Sequence, residues 1–258
     1  FTQMNTLFIG KNMLFLPEVD STNTYAMNLL RNVNTIEGTV IYTNNQTKGK
    51  GQRGAVWLTE IGKNLTFSVI LKPRNFSINN SFYLSKITAL ACYDVLTEIL
   101  NNSQFDIKIK WPNDILVNQK KIAGILIENN LNGSSIQHSI IGVGLNVNQN
   151  KFDELLNSAT SIFNETNKEF ELHNVLNLFC SKLEKWYLML NENKFDQISN
   201  SYLTLLFGLN EINEFSTTDG NTFKGEIIGV NKNGRLEIKK NNGEILNFDV
   251  KEIKLVID

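Results

Sequence analysis

Four extended segments follow one another between residues 105 and 147, with only turn-length gaps between them. Phe105 to Trp111, Ile115 to Val117, Lys121 to Glu128 and Ile136 to Val147 each alternate or run apolar. The gaps carry turn chemistry: Asn113-Asp114, a hairpin tip at Asn118-Gln119-Lys120, and Asn132-Gly133. A parallel pair needs a crossover of about a dozen residues. Gaps this short demand hairpins, and so a sheet that is largely antiparallel.

Helical periodicity surrounds this centre. Ser21-Thr22 reads as a helix start, with Tyr25, Ala26, Leu29 and Leu30 at helical spacing behind it. Leu84, Ile87, Ala91, Val95 and Ile99 mark an amphipathic helix over Phe82 to Leu100. His173 to Leu190 and Phe195 to Phe207 read as two more, while Thr39 to Thr43 and Asn64 to Leu71 read as strands. After Gly208 the pattern changes to short strands split by Asp219-Gly220, Asn233-Gly234 and Asn242-Gly243. The fold class is therefore α+β: a mixed or antiparallel sheet with helices packed on it over residues 1–208, and a small β-barrel over 209–258.

Composition narrows the function. Net charge is −1, from 25 basic and 26 acidic residues, which argues against sequence-independent DNA binding. No run reaches the roughly 18 apolar residues of a membrane span, and Phe1 to Gly10 lacks signal-peptide character. Cys92 and Cys180 read as buried thiols rather than a disulfide, so the expected location is cytoplasmic. His138 and His173 read as a strand-surface residue and a helix-start residue.

Three clusters carry chemistry. Gln46-Thr47-Lys48-Gly49-Lys50-Gly51-Gln52-Arg53-Gly54, ending at Trp57, combines small residues with Lys48, Lys50 and Arg53. Such a loop suits a phosphate or carboxylate, although a Gly-Lys loop is also a common solvated surface feature. It lacks the P-loop spacing. Lys110-Trp111-Pro112-Asn113-Asp114 offers oxygen ligands for Mg²⁺, and equally reads as a turn. Lys121 enters the apolar strand Ile122 to Ile127, where its ammonium either snorkels or serves a negative substrate. Gly124 marks close approach of a ligand or of backbone. Gly142-Val143-Gly144-Leu145-Asn146 fails the dinucleotide fingerprint, because Val147 stands where its third glycine belongs.

Taken in order, Asp20-Ser21-Thr22-Asn23, the Gln46 to Trp57 loop, Lys110 to Asp114, Lys121 to Ile125 and Gly142 to Asn146 resemble the motif set of biotin protein ligases, biotin–[acetyl-CoA-carboxylase] ligases. The resemblance spans about residues 14 to 150. It implies a biotin/lipoate ligase-like catalytic domain with a C-terminal SH3-like domain. It implies ATP, Mg²⁺ and biotin, formation of biotinyl-5′-AMP, and transfer of biotin to a lysine of a biotin carboxyl carrier protein. Ser21, Thr22, Asn23, Gln46, Gly49, Lys50, Lys121, Gly124 and Gly142 would bind biotin. Lys50, Gln52, Arg53, Trp57, Lys110, Asn113 and Asn146 would bind ATP, with Asp114 on the metal. Lys121, Lys50 and Gln52 would be catalytic, Lys121 foremost.

Two departures stand out. The commonest loop is Gly-Arg-Gly-Arg-Arg-Gly, and here Lys50 and Gln52 replace its first two arginines; lysine keeps the charge and loses the bidentate fork. Some members carry an N-terminal winged helix of roughly 60 residues that binds DNA. The first motif here already stands at Asp20, which reads as a monofunctional ligase with no DNA partner. Family members are monomers or dimers, so a homodimer is allowed. Two other readings are kept: a lipoate ligase or octanoyl transferase on the related domain, and a degenerate module that binds biotin without transferring it.

Overall fold

The centre of the molecule is the hairpin series that the turn signals predict. The computed structural model describes residues 5–101, 104–153, 158–250 and 252–256. Strands β5 (Ile107–Lys110), β6 (Asp114–Val117), β7 (Lys120–Asn132) and β8 (Ser135–Leu145) pair antiparallel, each with the next. Asn118 and Gln119 both take positive φ, 49° and 66°, the backbone of a tight hairpin whose twist matches its strands. Strands β2 (Val40–Gln46) and β3 (Leu65–Leu71) continue the sheet antiparallel from β8, and the short β4 (Phe76–Ser77) pairs the far end of β8.

One strand was not visible in the sequence. β1 (Met13–Val19) lies parallel to β2, so the sheet is mixed, in the order β1-β2-β3-β8-β7-β6-β5. Its segment carries Pro17 and no flanking turn dipeptide, and an edge strand tolerates proline. Its crossover is α1 (Thr22–Asn32), whose N-cap is Ser21, accepting from the Thr24 N–H.

The sheet is covered on both faces, which is why all seven residues of β3 are buried. Leu65, Phe67, Val69 and Leu71 face the main core beneath α2 (Phe82–Leu100) and α4 (Leu172–Asn191), where the Phe67 and Phe179 rings meet edge-on at 4.8 Å. Side chains alternate across a strand, so Ile70 faces the other way. With Ile41 and Ile140 it packs against Ala26 of α1. Ser68 and Thr66 share that second face. Here the small or polar residues Ser68, Gly142, Gly144 and Gly124 succeed the isoleucines in register. The sheet therefore opens beside the N-terminus of α1, and the cavity forms there.

The short α3 (Ile162–Thr166) had no sequence signal. α5 (Phe195–Thr204) ends three residues before the expected Phe207, because Leu206 forms a parallel bridge with Ile109 of β5 and Phe207 donates its N–H to Ile109 O at 2.9 Å. A second sheet follows, β9 (Ile212–Thr217), β10 (Thr222–Val230), β11 (Leu236–Lys240), β12 (Ile245–Phe248) and β13 (Ile253–Leu255), ordered β12-β11-β10-β9-β13 and antiparallel throughout. The glycines of its three predicted turns have φ between 84° and 86°. Trp111 Nε1 donates to Gly234 O at 2.8 Å and ties this sheet to the first.

Candidate functional site

A cavity of about 450 Å³ opens where the two sheets meet. Its polar wall is built from the N-terminus of α1 and the end of β2. Gln46 Oε1 accepts from Thr22 N at 2.9 Å and stands 3.3 Å from Thr22 Oγ1. Ser21, Thr22 and Asn23 are all buried and line the cavity with Gln46.

The floor is the row of glycines on β7 and β8. Gly124 and Gly144 are paired in register, and the Trp57 indole lies on both. A β-carbon on Gly144 would stand 2.3 Å from Trp57 Cε2, and one on Gly124 would stand 3.1 Å from Cζ3. Gly142 instead makes room for Asn23, whose Oδ1 would be 2.4 Å from an added β-carbon. These glycines are places where side chains of other elements come down onto the sheet.

The cations converge from three directions. Lys121 Nζ contacts Asp114 Oδ1 at 2.6 Å and stands 5.5 Å from the Trp57 ring centroid. Its side chain is about a third exposed, so this lysine does not snorkel away; it turns into the cavity toward a carboxylate. Burial holds the Lys110 ammonium below the ordinary lysine value; Asp114 opposes this and the Lys121 charge adds to it. Lys50 Nζ donates to Thr24 Oγ1 at 3.1 Å at the rim. Gln52 lies in a 3₁₀ turn over Gln52–Gly54 and also lines the cavity.

Some expected residues are placed elsewhere. Gly49 faces its own loop: a β-carbon there would stand 2.2 Å from the Trp57 carbonyl oxygen. The Gly49 carbonyl accepts the Trp57 N–H at 3.1 Å, so this glycine closes the loop on itself. Asn146 is buried, its Nδ2 donating to Thr160 O at 2.9 Å, and it is not among the cavity-lining residues. Asn113 lines the cavity, but its Nδ2 is committed to Ile125 O at 2.8 Å. The side chain of Arg53 lies outside the described residues.

Asp114 is the one acid among the lining residues. Among the described residues no three His, Cys, Asp or Glu side chains come together as a metal site. The donor set therefore fits a Mg²⁺ that brings most of its oxygens with a phosphate ligand and takes one carboxylate from the protein. His138 and His173 stay outside the cavity, and Cys92 and Cys180 are free, buried thiols pushed up to about 12 by burial.

Two sets of residues escaped the sequence reading. Ser68 and Glu128 bond to the polar wall from behind; Ser68 sits in an apolar strand and Glu128 at a strand's polar end, so neither carried a motif. Phe215, Ile227, Leu236, Ile253 and Lys254 of the second sheet close one end of the cavity. Their spacing reads only as an ordinary strand interior.

Residues 15–146 match the model of the biotin/lipoate A/B protein ligase family. The chain is 31% identical over 243 residues to the bifunctional ligase/repressor BirA of Bacillus subtilis, an alignment covering 93% of this chain and 73% of that protein. It is 29% identical over 181 residues to the biotin–[acetyl-CoA-carboxylase] ligase of Paracoccus denitrificans, covering 68% of this chain and 73% of that one. The biotin protein ligase from Aquifex aeolicus, solved in complex with biotin and ATP, superposes with a TM-score of 0.79 at 28% identity, over 96% of this chain and 100% of that chain. A sheet floored with glycine, a Lys-Asp pair facing a polar wall, and these likenesses lead to one conclusion: the chain belongs to the biotin protein ligase family.

Proposed function

We propose that the cavity between the two sheets is where this ligase joins biotin to AMP and holds the product for a carrier protein. The enzyme adenylates biotin and transfers it to a protein lysine. The biotin carboxylate attacks the α-phosphate of ATP, forming biotinyl-5′-AMP and releasing pyrophosphate. The amine of the acceptor lysine then attacks the acyl carbon, forming an amide and releasing AMP. A biotin carboxyl carrier protein fits as acceptor, in keeping with the likeness to a biotin–[acetyl-CoA-carboxylase] ligase.

The observation that carries the assignment of roles is the Lys121–Asp114 pair at 2.6 Å, facing the wall of Thr22 and Gln46. Two anions must approach each other in the first step, and fixed cations that need no reorganisation lower that barrier most. Lys121 enters from the rigid strand β7, so its ammonium is positioned before substrate arrives. In our reading it bonds the biotin carboxylate and then the adenylate oxygens, while Lys110 and Lys50 balance phosphate charge. Thr22 and Gln46 hold the ring end of biotin. Trp57, lying on Gly124 and Gly144, supplies the flat face for the nucleotide. A Mg²⁺ held by Asp114 would neutralise charge on the triphosphate. The apolar residues of the second sheet shield the mixed anhydride from water.

We further assign residues 209–258 as an SH3-like domain, supported by five antiparallel strands joined by tight turns. No helix among the described residues is long and apolar enough to cross a membrane, and an ATP-consuming reaction suits a cytoplasmic protein.

The test is ATP–pyrophosphate exchange with purified protein, Mg²⁺ and either biotin or lipoate. Exchange with biotin, sharply reduced in Lys121→Ala, is the expected result. Exchange with lipoate alone would move the protein to the lipoate ligases. Biotin binding without exchange would make it a binding module.

A further inference from the structure

Behind the polar wall runs a chain of hydrogen bonds with a fixed direction. It starts at Glu128 on β7, a carboxylate that accepts from Asn23 Nδ2 at 2.8 Å. Asn23 Nδ2 also donates to Leu126 O at 3.2 Å. Two acceptors on one side hold the amide in a single orientation, with Oδ1 turned toward Ser68 at 2.6 Å. Amide oxygen only accepts, and a serine hydroxyl has one proton. The Ser68 proton therefore goes to Asn23. The contact between Ser68 Oγ and Thr22 Oγ1 at 2.8 Å must then be filled by the Thr22 proton. Gln46 Oε1 competes for that proton from 3.3 Å and already takes the Thr22 N–H at 2.9 Å.

The consequence lies at the cavity. With its proton turned back to Ser68, Thr22 Oγ1 presents lone pairs to the ligand. Gln46 lines the same wall with Oε1 engaged, so what it has left to offer is the donor Nε2, which lies beside Gly49. An acceptor beside a donor is the complement of a cyclic urea, whose N–H donates and whose carbonyl accepts. We infer that Glu128 and Ser68, which do not line the cavity, are positioning residues that set the hydrogen-bond polarity of Thr22 toward the urea ring of biotin. Gly142 belongs to the same device, since any side chain there would meet the Asn23 amide. The inference rests on the biotin-ligase reading of this cavity.

Steady-state pyrophosphate exchange tests it. In Ser68→Ala the Thr22 proton is released to Gln46 or to the cavity, and the apparent KM for biotin should rise about tenfold, the worth of one misdirected hydrogen bond. The KM for ATP and kcat should stay within about twofold. Glu128→Ala should raise the biotin KM in the same sense, and Glu128→Gln, which keeps an acceptor for Asn23, should restore it. In a Thr22→Val background, Ser68→Ala should add nothing, because the hydroxyl it orients is gone. A merely structural serine would lower thermal stability or active fraction without a selective rise in biotin KM, and its effect would add to that of Thr22→Val. An unchanged biotin KM in Ser68→Ala, or full additivity with Thr22→Val, overturns the inference. Should Ser68→Ala fail to fold, Glu128→Ala against Glu128→Gln decides by the same readout. Absence of biotin-dependent exchange in the unaltered protein would overturn the ligase reading itself, a separate outcome.

Discussion

Two glycines on one strand, two residues apart, should respond to alanine in opposite ways. Both lie in β8 with ordinary extended backbone, so an added methyl strains no torsion. At Gly142 the new β-carbon meets Asn23 Oδ1 at 2.4 Å, Asn23 Cγ at 2.9 Å and the Leu126 carbonyl oxygen at 2.9 Å. Asn23 is 4% exposed on the first turn of α1, and Leu126 O belongs to the paired strand. Neither has room to give. Overpacking costs about 1–3 kcal/mol, and displacing Asn23 from Ser68 and Glu128 costs about 1 kcal/mol per hydrogen bond. Gly142→Ala should therefore lose about 4 kcal/mol. At roughly 2–4 °C per kcal/mol for a chain of this size, Tm falls by about 10 °C. At Gly144 the three closest atoms all belong to the Trp57 indole, at 2.3 to 2.6 Å. That ring sits on a loop and can swing out. Its lost contact, about 1 kcal/mol, is offset by about 0.4–1 kcal/mol from the stiffer unfolded chain, so Tm should move by less than about 3 °C. The indole then enters water, and tryptophan emission should shift to the red. Scanning calorimetry and fluorescence on the two variants check both halves. Equal loss of stability in the two, or a Gly142→Ala protein as stable as the original, would refute the reasoning that one glycine serves a packed helix and the other a movable ring.

Lys121→Ala should reduce biotin-dependent pyrophosphate exchange by about 10²–10³-fold, the scale for removing one preorganised donor to developing charge; less than about tenfold would remove Lys121 from the chemistry. Restoring both arginines in Lys50→Arg/Gln52→Arg should lower the biotinyl-5′-AMP released per carrier biotinylated, because a bidentate fork orders the loop better than a point charge; chromatography of the released nucleotide measures it. Lys86 is 3% exposed among the Phe82, Tyr83 and Tyr202 rings, and burial lowers its value from 10.5 to about 8. The folded state therefore holds fewer protons than the unfolded one between those values, so this residue's contribution to stability rises with pH across that window. Denaturant midpoints at about pH 7.5 and 9.5 should rise for the original protein relative to Lys86→Met, by an amount on the order of 2 kcal/mol. A parallel pH response of the two proteins would show that Lys86 is not the group responsible.

Much of this architecture is local and so is legible in the chain. The hairpins β5 to β8 declare themselves because turn residues at Asn113-Asp114, Asn118-Gln119 and Asn132-Gly133 leave no length for crossovers. The helix Phe82–Leu100 declares itself by its period. The cluster residues Thr22, Gln46, Lys110, Asp114 and Lys121 are equally visible, because unusual residue types in order survive without coordinates. What the order could not say is which of them meet. Gly124, Gly142 and Gly144 read alike along the chain, yet two lie under the one tryptophan, Trp57 of the loop after β2, and the third under Asn23 of α1. Asn146 reads like the rest of its motif, and the tertiary structure turns its amide to Thr160 instead. Ser68 is one polar residue inside an apolar strand, and its meaning depends on α1 and β7 arriving at both of its sides. Periodicity and turn chemistry act over a few residues, so the sequence alone determines elements and the inventory of reactive groups. Hydrogen-bond direction and cavity closure depend on atoms about 20 to 100 positions apart in the chain, and only the packed sheet brings those together.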